Sequence, residues 1–133
     1  MAKEAPTMTV AVDDSGGSAR SIQNDLTSVD WAIPRATQDV TGVDKAAIER
    51  LLLLADFSAT LNGVFNDASN VSHDVFKTVA SASVARTLTM VMSGQTLANE
   101  VLFTDYSMSR GSDGSLTFSA PCVLESGTAP TWA

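Results

Sequence analysis

The sequence predicts a mainly β fold, an antiparallel β-sandwich or rolled sheet with one short α-helix. Three observations carry that prediction. Apolar residues recur with period two in short segments, turn residues separate those segments, and a single stretch shows convincing helical spacing. At 133 residues the chain fits one domain, able to bury roughly two-thirds of its unfolded surface.

The first strand is carried by Met8, Val10 and Val12, alternating with Thr9 and Ala11. The run Asp13-Asp14-Ser15-Gly16-Gly17-Ser18 follows, and its glycines accept positive φ, which predicts a hairpin loop. The return strand is expected over residues 19–33. Its apolar parity changes between Ile22 and Leu26 on one side and Val29, Trp31 and Ile33 on the other. A bulge near Thr27-Ser28 restores the inward face.

Residues 34–47 hold Pro34 and Gly42 among mixed polar residues and read as a long loop, in which Asp44 is placed to cap a helical turn. From Leu51 the alternation resumes: Leu51, Leu53, Ala55, Phe57, Ala59, Leu61 and Phe65 share one parity, which predicts one long strand. After a polar turn at residues 66–70, Ser72 is positioned to cap a helix whose Val75, Phe76 and Val79 share a face. Asp74 in its first turn suits the helix dipole.

Three further strands are predicted. Val84, Leu88, Met90 and Met92 share a parity before the turn Ser93-Gly94-Gln95, and residues 98–110 form the next strand. Asp113-Gly114 signals a tight two-residue hairpin into Leu116, Phe118, Ala120, Cys122 and Leu124. Residues 125–133 form a flexible tail ending near an exposed Trp132. The count is six or seven strands. Met8, Val101 and Phe103 lack an obvious intramolecular face, which points to burial between subunits.

Apolar residues are 44% of the chain and charged residues 17%, a globular composition. The net charge is −7, from eight Lys and Arg against fifteen Asp and Glu, and no two basic residues adjoin. A basic footprint for gripping nucleic acid is therefore missing. Cys122 is the one cysteine, so no internal disulfide or thiolate metal cluster forms. No signal-peptide core opens the sequence, and the longest fully apolar run, residues 51–55, is far too short to span a bilayer.

No catalytic, cofactor or metal site is read from the motifs. His73, the one histidine, adjoins Asp74 at a helix start, where a solvated or capping role suffices. A calcium loop opening at Asp13 needs Glu at its twelfth position, and Asn24 stands there. Asn70-Val71-Ser72 matches a glycosylation triplet that nothing else supports, and no glycine motif fits a phosphate loop.

The stretch from Asp39-Val40-Thr41-Gly42 onward resembles the tail tube (major tail) proteins of long-tailed, siphovirus-like bacteriophages. Three pieces carry the resemblance: residues 54–65, ending in a small-residue-then-Gly step; residues 66–79, with the run His73-Asp74-Val75-Phe76-Lys77; and Phe103-Thr104-Asp105-Tyr106 with residues 114–120, closing in Gly127-Thr128-Ala129-Pro130-Thr131-Trp132. It covers some two-thirds of the chain and leaves the N-terminal hairpin outside. The resemblance implies a β-sandwich with a flanking helix, assembled as a homo-oligomer of hexameric rings stacked into a tube. Each subunit would give strands to a continuous inner barrel, and long loops would bridge the rings. The implied setting is the virion tail, assembled in the host cytoplasm. The implied partners are tail-tip, terminator and tape-measure proteins, with double-stranded DNA sliding through an acidic lumen without specific binding.

Under that resemblance, Asp56, Glu100 and Asp105 are candidates for lumen-facing acids on strands. The candidates for contacts between subunits are Asp13, Asp14, Ser15, Gly16 and Gly17 in the first loop, and Pro34, Arg35, Asp39, Gly42 and Asp44 in the second. Two other readings stay open: another phage structural module, such as a capsid decoration or head-tail terminator protein, and a β-sandwich that binds carbohydrate or a host surface.

Overall fold

The computed structural model describes Lys3 and residues 5–133. Ten strands, a 3₁₀ turn and one short helix follow one another: β1 Met8–Asp13, β2 Ala19–Ser21, the 3₁₀ turn Gln23–Asp25, β3 Leu26–Ala32, β4 Arg35–Asp39, β5 Arg50–Ala55, β6 Ser58–Val64, α1 Ser72–Phe76, β7 Arg86–Met92, β8 Gln95–Phe103, β9 Ser107–Arg110 and β10 Leu116–Leu124. Eight strands form one antiparallel sheet in the order β2-β1-β7-β8-β10-β6-β3, with β9 also on β10. β4 and β5 form a separate hairpin.

The large sheet folds over on itself. β8 and β10 share three pairs, from Phe103 with Cys122 to Val101 with Leu124. At that corner the layer β2-β1-β7-β8 turns over the layer β9-β10-β6-β3. Alternate residues of both layers meet in one core: Val10 and Val12, Leu88 and Met90, Leu97 and Val101, Phe118, Ala120 and Cys122, and Ala59 and Leu61. The period-two pattern of the sequence is this inward face. Burial pushes the Cys122 thiol up to about 12, so it stays protonated and inert.

Helix α1 closes one end of the sandwich. Phe76 is fully buried and tilts against Phe103, Tyr106 and Phe118, with ring centroids 5.1, 5.5 and 5.7 Å apart. Ser72 does not cap the helix with its side chain, contrary to the sequence expectation; Val71 occupies the cap position. The cap comes from afar: buried Asp25 accepts the Ser72 N–H at 3.2 Å and the Asn66 side-chain amide at 2.8 Å. A carboxylate at that helix start also meets the dipole favourably. At the other end, Arg86 is 1% exposed and donates to the Val75 carbonyl at 2.6 Å, the Thr78 hydroxyl at 2.9 Å and the Asp13 carbonyl at 3.3 Å. One guanidinium thus ties helix, β7 and first hairpin together. Its parity with Leu88 marked it for burial, but no motif announces an arginine in a core.

Several sequence expectations are corrected. The return strand of the first hairpin stops at Ser21; after the 3₁₀ turn the chain joins the other layer as β3, where the expected bulge is present between Leu26 and Ser28. The expected loop at residues 34–47 is half strand, because Arg35–Asp39 pairs with Arg50–Ala55. The long strand from Leu51 is two strands broken at Asp56 and Phe57. There the Asp56 N–H donates to the Pro34 carbonyl and the Leu124 N–H to the Phe57 carbonyl, so the chain changes sheets. Strand 98–110 is likewise split by residues 104–106 into β8 and β9. The Asp113-Gly114 hairpin has five loop residues, closed by the Gly111 N–H to the Ser115 carbonyl at 2.8 Å. Val101 is buried in the core, so it is not the subunit contact expected; Met8 and Phe103 are half-buried against that core. The tail folds back: Thr96 and Ala133 exchange two backbone hydrogen bonds at 2.8 Å, although Trp132 is 45% exposed.

Gly63 sits where two elements nearly touch. A Cβ there would lie 2.2 Å from the Asp25 carbonyl oxygen and 2.9 Å from the Phe118 ring. Gly63→Ala is therefore expected to cost about 1–3 kcal/mol of stability, read from the urea midpoint. Gly16→Ala, whose nearest contact is at 3.4 Å, should change it by less than about 0.5 kcal/mol.

Candidate functional site

The surfaces that lack an intramolecular partner are the candidate site. The first is the hairpin of β4 and β5, which leaves the body where β3 and β6 end and continues their pairing past the Pro34–Asp56 joint. Six residues of β5 at roughly 3.3 Å each carry it about 20 Å outward. Every residue of β4 is exposed, and so are Arg50 to Leu54 of β5. Leu54 is 91% exposed and Leu52 55%, and Leu51 and Leu53 on the other face are exposed as well. Consecutive leucines put apolar area on both faces of the ribbon. An apolar groove of about 770 Å³ at the arm's base is lined by Arg35, Leu52, Leu53, Leu54, Ala55 and Ala129.

The arm's tip is built rather than loose. Thr41 donates its hydroxyl to Asp39 Oδ1 at 2.6 Å and accepts the Glu49 N–H at 2.8 Å, while the Val40 N–H meets the Glu49 carbonyl at 2.9 Å. Arg35 Nε donates to the Leu53 carbonyl at 2.9 Å. The first hairpin loop is similarly fixed: Asp14 accepts the Gly16 and Ser18 N–H groups and the Arg20 guanidinium at 2.9, 3.0 and 3.1 Å.

The second surface is a pair of sheet edges. In the layer β9-β10-β6-β3, the outer edges of β3 and β9 have no strand beside them among the described residues. Between β3 and β1 the two layers leave a cleft of about 270 Å³ lined by Met8, Val10, Gln23, Leu26, Thr27, Ser28 and Val29. At the corner between the layers, the outward face carries Leu102 of β8 beside Val123 of β10, 40% and 41% exposed.

Of the candidate lumen acids, only Glu100 lies on a strand; its carboxylate accepts the Thr87 hydroxyl on the outward face of the β2-β1-β7-β8 layer. Asp56 and Asp105 sit in the joints β5–β6 and β8–β9, each accepting the N–H of the next residue at 2.8 Å. Asp30, on the outward face of β3 opposite Thr60, was not singled out by sequence. Its alternation with Val29 and Trp31 was the available signal. Among the subunit-contact candidates, Asp13 ends β1, and Asp14, Ser15, Gly16 and Gly17 make its loop. Pro34 is the arm's hinge, Arg35 and Asp39 lie on β4, and Gly42 and Asp44 lie at the arm's tip.

The known structures speak to this architecture. The tail of an empty GTA particle, refined helically with C6 symmetry, superposes with a TM-score of 0.77 at 15% identity over 95% of each chain. The fold is that of a tail tube subunit. The virion of a native gene transfer agent gives a TM-score of 0.73 at 15% identity, over 93% of this chain and 95% of that one. The SPP1 tail tube gives 0.74 at 7% identity, over 94% of this chain and 75% of that one. No family model and no curated protein matches the sequence. This chain thus shares its fold with these tail structures at 7 to 15% identity.

No group of His, Cys, Asp and Glu among the described residues is placed to hold a metal. His73 Nδ1 lies 3.1 Å from the Tyr106 hydroxyl and its ring 4.8 Å from Phe65, a packed position on α1. Among the described residues no helix is long and apolar enough to cross a membrane.

Four aspartates are held below the usual carboxylate range: Asp14 chiefly by the Ser18 N–H, Asp39 by the Thr41 hydroxyl, Asp74 by Lys77, and Asp113 by the Ser115 N–H. A depressed folded pKa contributes stability above the unfolded value of 3.8 that is lost as pH falls through the folded values. The melting temperature is expected to fall from about pH 5 to about pH 2.5, and Asp14→Asn should flatten that slope.

Proposed function

We propose that this chain is the subunit of a phage-type tail tube, a structural virion protein whose copies form hexameric rings that stack into a conduit for DNA. The observation that carries the reading is the arm with its leucines exposed on both faces. A lone two-stranded hairpin is marginal in water, and apolar area of this size on a monomer calls for a partner. In a stacked tube the arm lies on subunits of the neighbouring ring, with the Pro34–Asp56 joint as its base and the residues from Asp39 to Asp44 at its leading end. The loop from Asp13 to Gly17 is a second contact of the same kind.

Ring closure follows from the free edges. β3 and β9 bound one four-stranded layer and run in opposite directions, so β9 of one copy beside β3 of the next continues the antiparallel pattern. A head-to-tail contact of this type closes into a ring when its rotation divides a full turn, and closure removes both edges. The layer β9-β10-β6-β3 then lines the lumen. Asp30 faces the passage, Asp56 and Asp105 lie at its margins, and Glu100 belongs to the outer layer. With a net charge of −7, the subunit repels the DNA phosphates it surrounds. The role is structural and non-catalytic, in the virion tail after assembly in the host cytoplasm. Tail-tip, terminator and tape-measure proteins meet the tube's ends and interior.

Negative-stain microscopy of the concentrated protein tests this reading. Tubes or six-fold rings are expected; a compact monomer at every salt and protein concentration would overturn it. Leu52→Asp with Leu54→Asp removes two buried side chains at about 1.5–3 kcal/mol each. The concentration needed for tubes should rise roughly 100-fold or more, with the melting temperature of the dilute monomer unchanged.

A further inference from the structure

We propose that Met108 of one copy fills the cleft between β1 and β3 of the next copy, keying adjacent subunits within a ring. The inference deepens the tube-subunit reading and rests on it. Met108 lies on β9, on the free edge of the layer, and is 49% exposed. It stands opposite Phe118 in the β9–β10 ladder. Cross-strand partners point to the same face, and Phe118 is 3% exposed, in the core. Met108 therefore projects on the core side of the sheet at an edge where its own chain provides no covering strand.

The other edge of the same layer has the complementary shape. Val29 and Leu26 of β3 also point to the core side, and the cleft they share with Met8 and Val10 opens beside β3. Its polar lining is confined to Gln23, Thr27 and Ser28. The cleft holds about 270 Å³, far more than the roughly 30 Å³ of one water. An unbranched thioether suits such an irregular hollow. The knob is on one edge and the hole on the opposite edge of one four-stranded layer, so no copy can fill its own cleft and a second copy can.

Edge charge agrees with this pairing. Arg110 ends β9 and Asp30 lies on β3, and neither takes part in a salt bridge among the described residues. The two edges thus carry opposite signs, which favours β9 against β3 over like edges meeting, although the side chains lie on opposite faces of the junction: Arg110 shares the parity of Met108, and Asp30 points outward. With β9 antiparallel to the neighbour's β3, the side chains of Met108 and Val29 fall on one face of the junction, and the backbone groups of both edges pair.

The test is a disulfide ladder. The variant carrying both Met108→Cys and Val29→Cys is assembled, oxidised mildly, and run without reductant; the native Cys122 is buried and does not compete. A ladder reaching six copies is expected. Met108→Cys with Leu102→Cys on the outward face should give none. Met108→Asp should raise the concentration needed for rings roughly tenfold or more while leaving the melting temperature of the dilute monomer within error. If wild-type rings form but the Met108–Val29 pair gives no ladder, or one that stops at the dimer, the lock is overturned and the tube reading stands. If the wild type never assembles, the tube reading fails and takes the lock with it.

Discussion

A strand at the rim of a sheet carries a row of N–H and C=O groups that must pair with something. In this protein a four-stranded layer ends in two such rims, β3 on one side and β9 on the other. Both rims are guarded only in part: a bulge breaks β3 between Leu26 and Ser28, and β9 is four residues long. β3 spans seven residues with Asp30 as its one charge, and β9 has Arg110 at its end. The layer on the far side of the corner differs: its rim is the three-residue β2, and its other margin runs on into β10 and the returning tail. In the proposed tube this contrast would set the direction of growth, with the layer that has two open rims extended by copies of itself.

The rest of the structure holds that layer in shape. Arg86 anchors the helix to β7 and the first hairpin, and Asp25 anchors the start of the same helix from between β2 and β3. Both are charged groups buried at junctions, where removing either would leave the partner groups unsatisfied at about 1–3 kcal/mol each. The aromatic cluster of Phe76, Phe103, Tyr106 and Phe118 sits beneath the β8–β9 bend. That bend places β9, and with it Met108, on the rim.

Much of this was legible in the sequence because it follows from period-two burial. The alternation of Leu88 with Met90, of Phe118 through Cys122, and of Val10 with Val12 named core residues correctly, and the parity change at Thr27 revealed the bulge. The arm was not legible. Leu51 through Phe65 keep one unbroken alternation, yet the backbone changes sheets at Asp56 and Phe57, and only Phe57, Ala59 and Leu61 reach the core. Periodicity reports which residues share a face; it does not report whether that face meets the chain's own core or another copy. The same blindness sent Val101 to a subunit contact and did not reveal the exposure of Leu54 and Met108. Pairing of residues 35–39 depends on partners eleven to twenty residues away, between a hinge at Pro34 and a tip at Gly42 that both read locally as loop. Asp30 was passed over because a lone acid on a strand is ordinary until its layer is known to have open rims.

Amide hydrogen exchange, followed residue by residue before and after assembly, measures the open rims most directly. In the dilute monomer the edge-facing amides of β3, β9 and the β4–β5 arm should exchange fast, while those of β7 and β8 stay protected; on assembly the rim and arm amides should become protected as well. Rim amides already protected in the monomer, or still exchanging fast in the assembled material, would contradict the claim that identical copies complete this sheet.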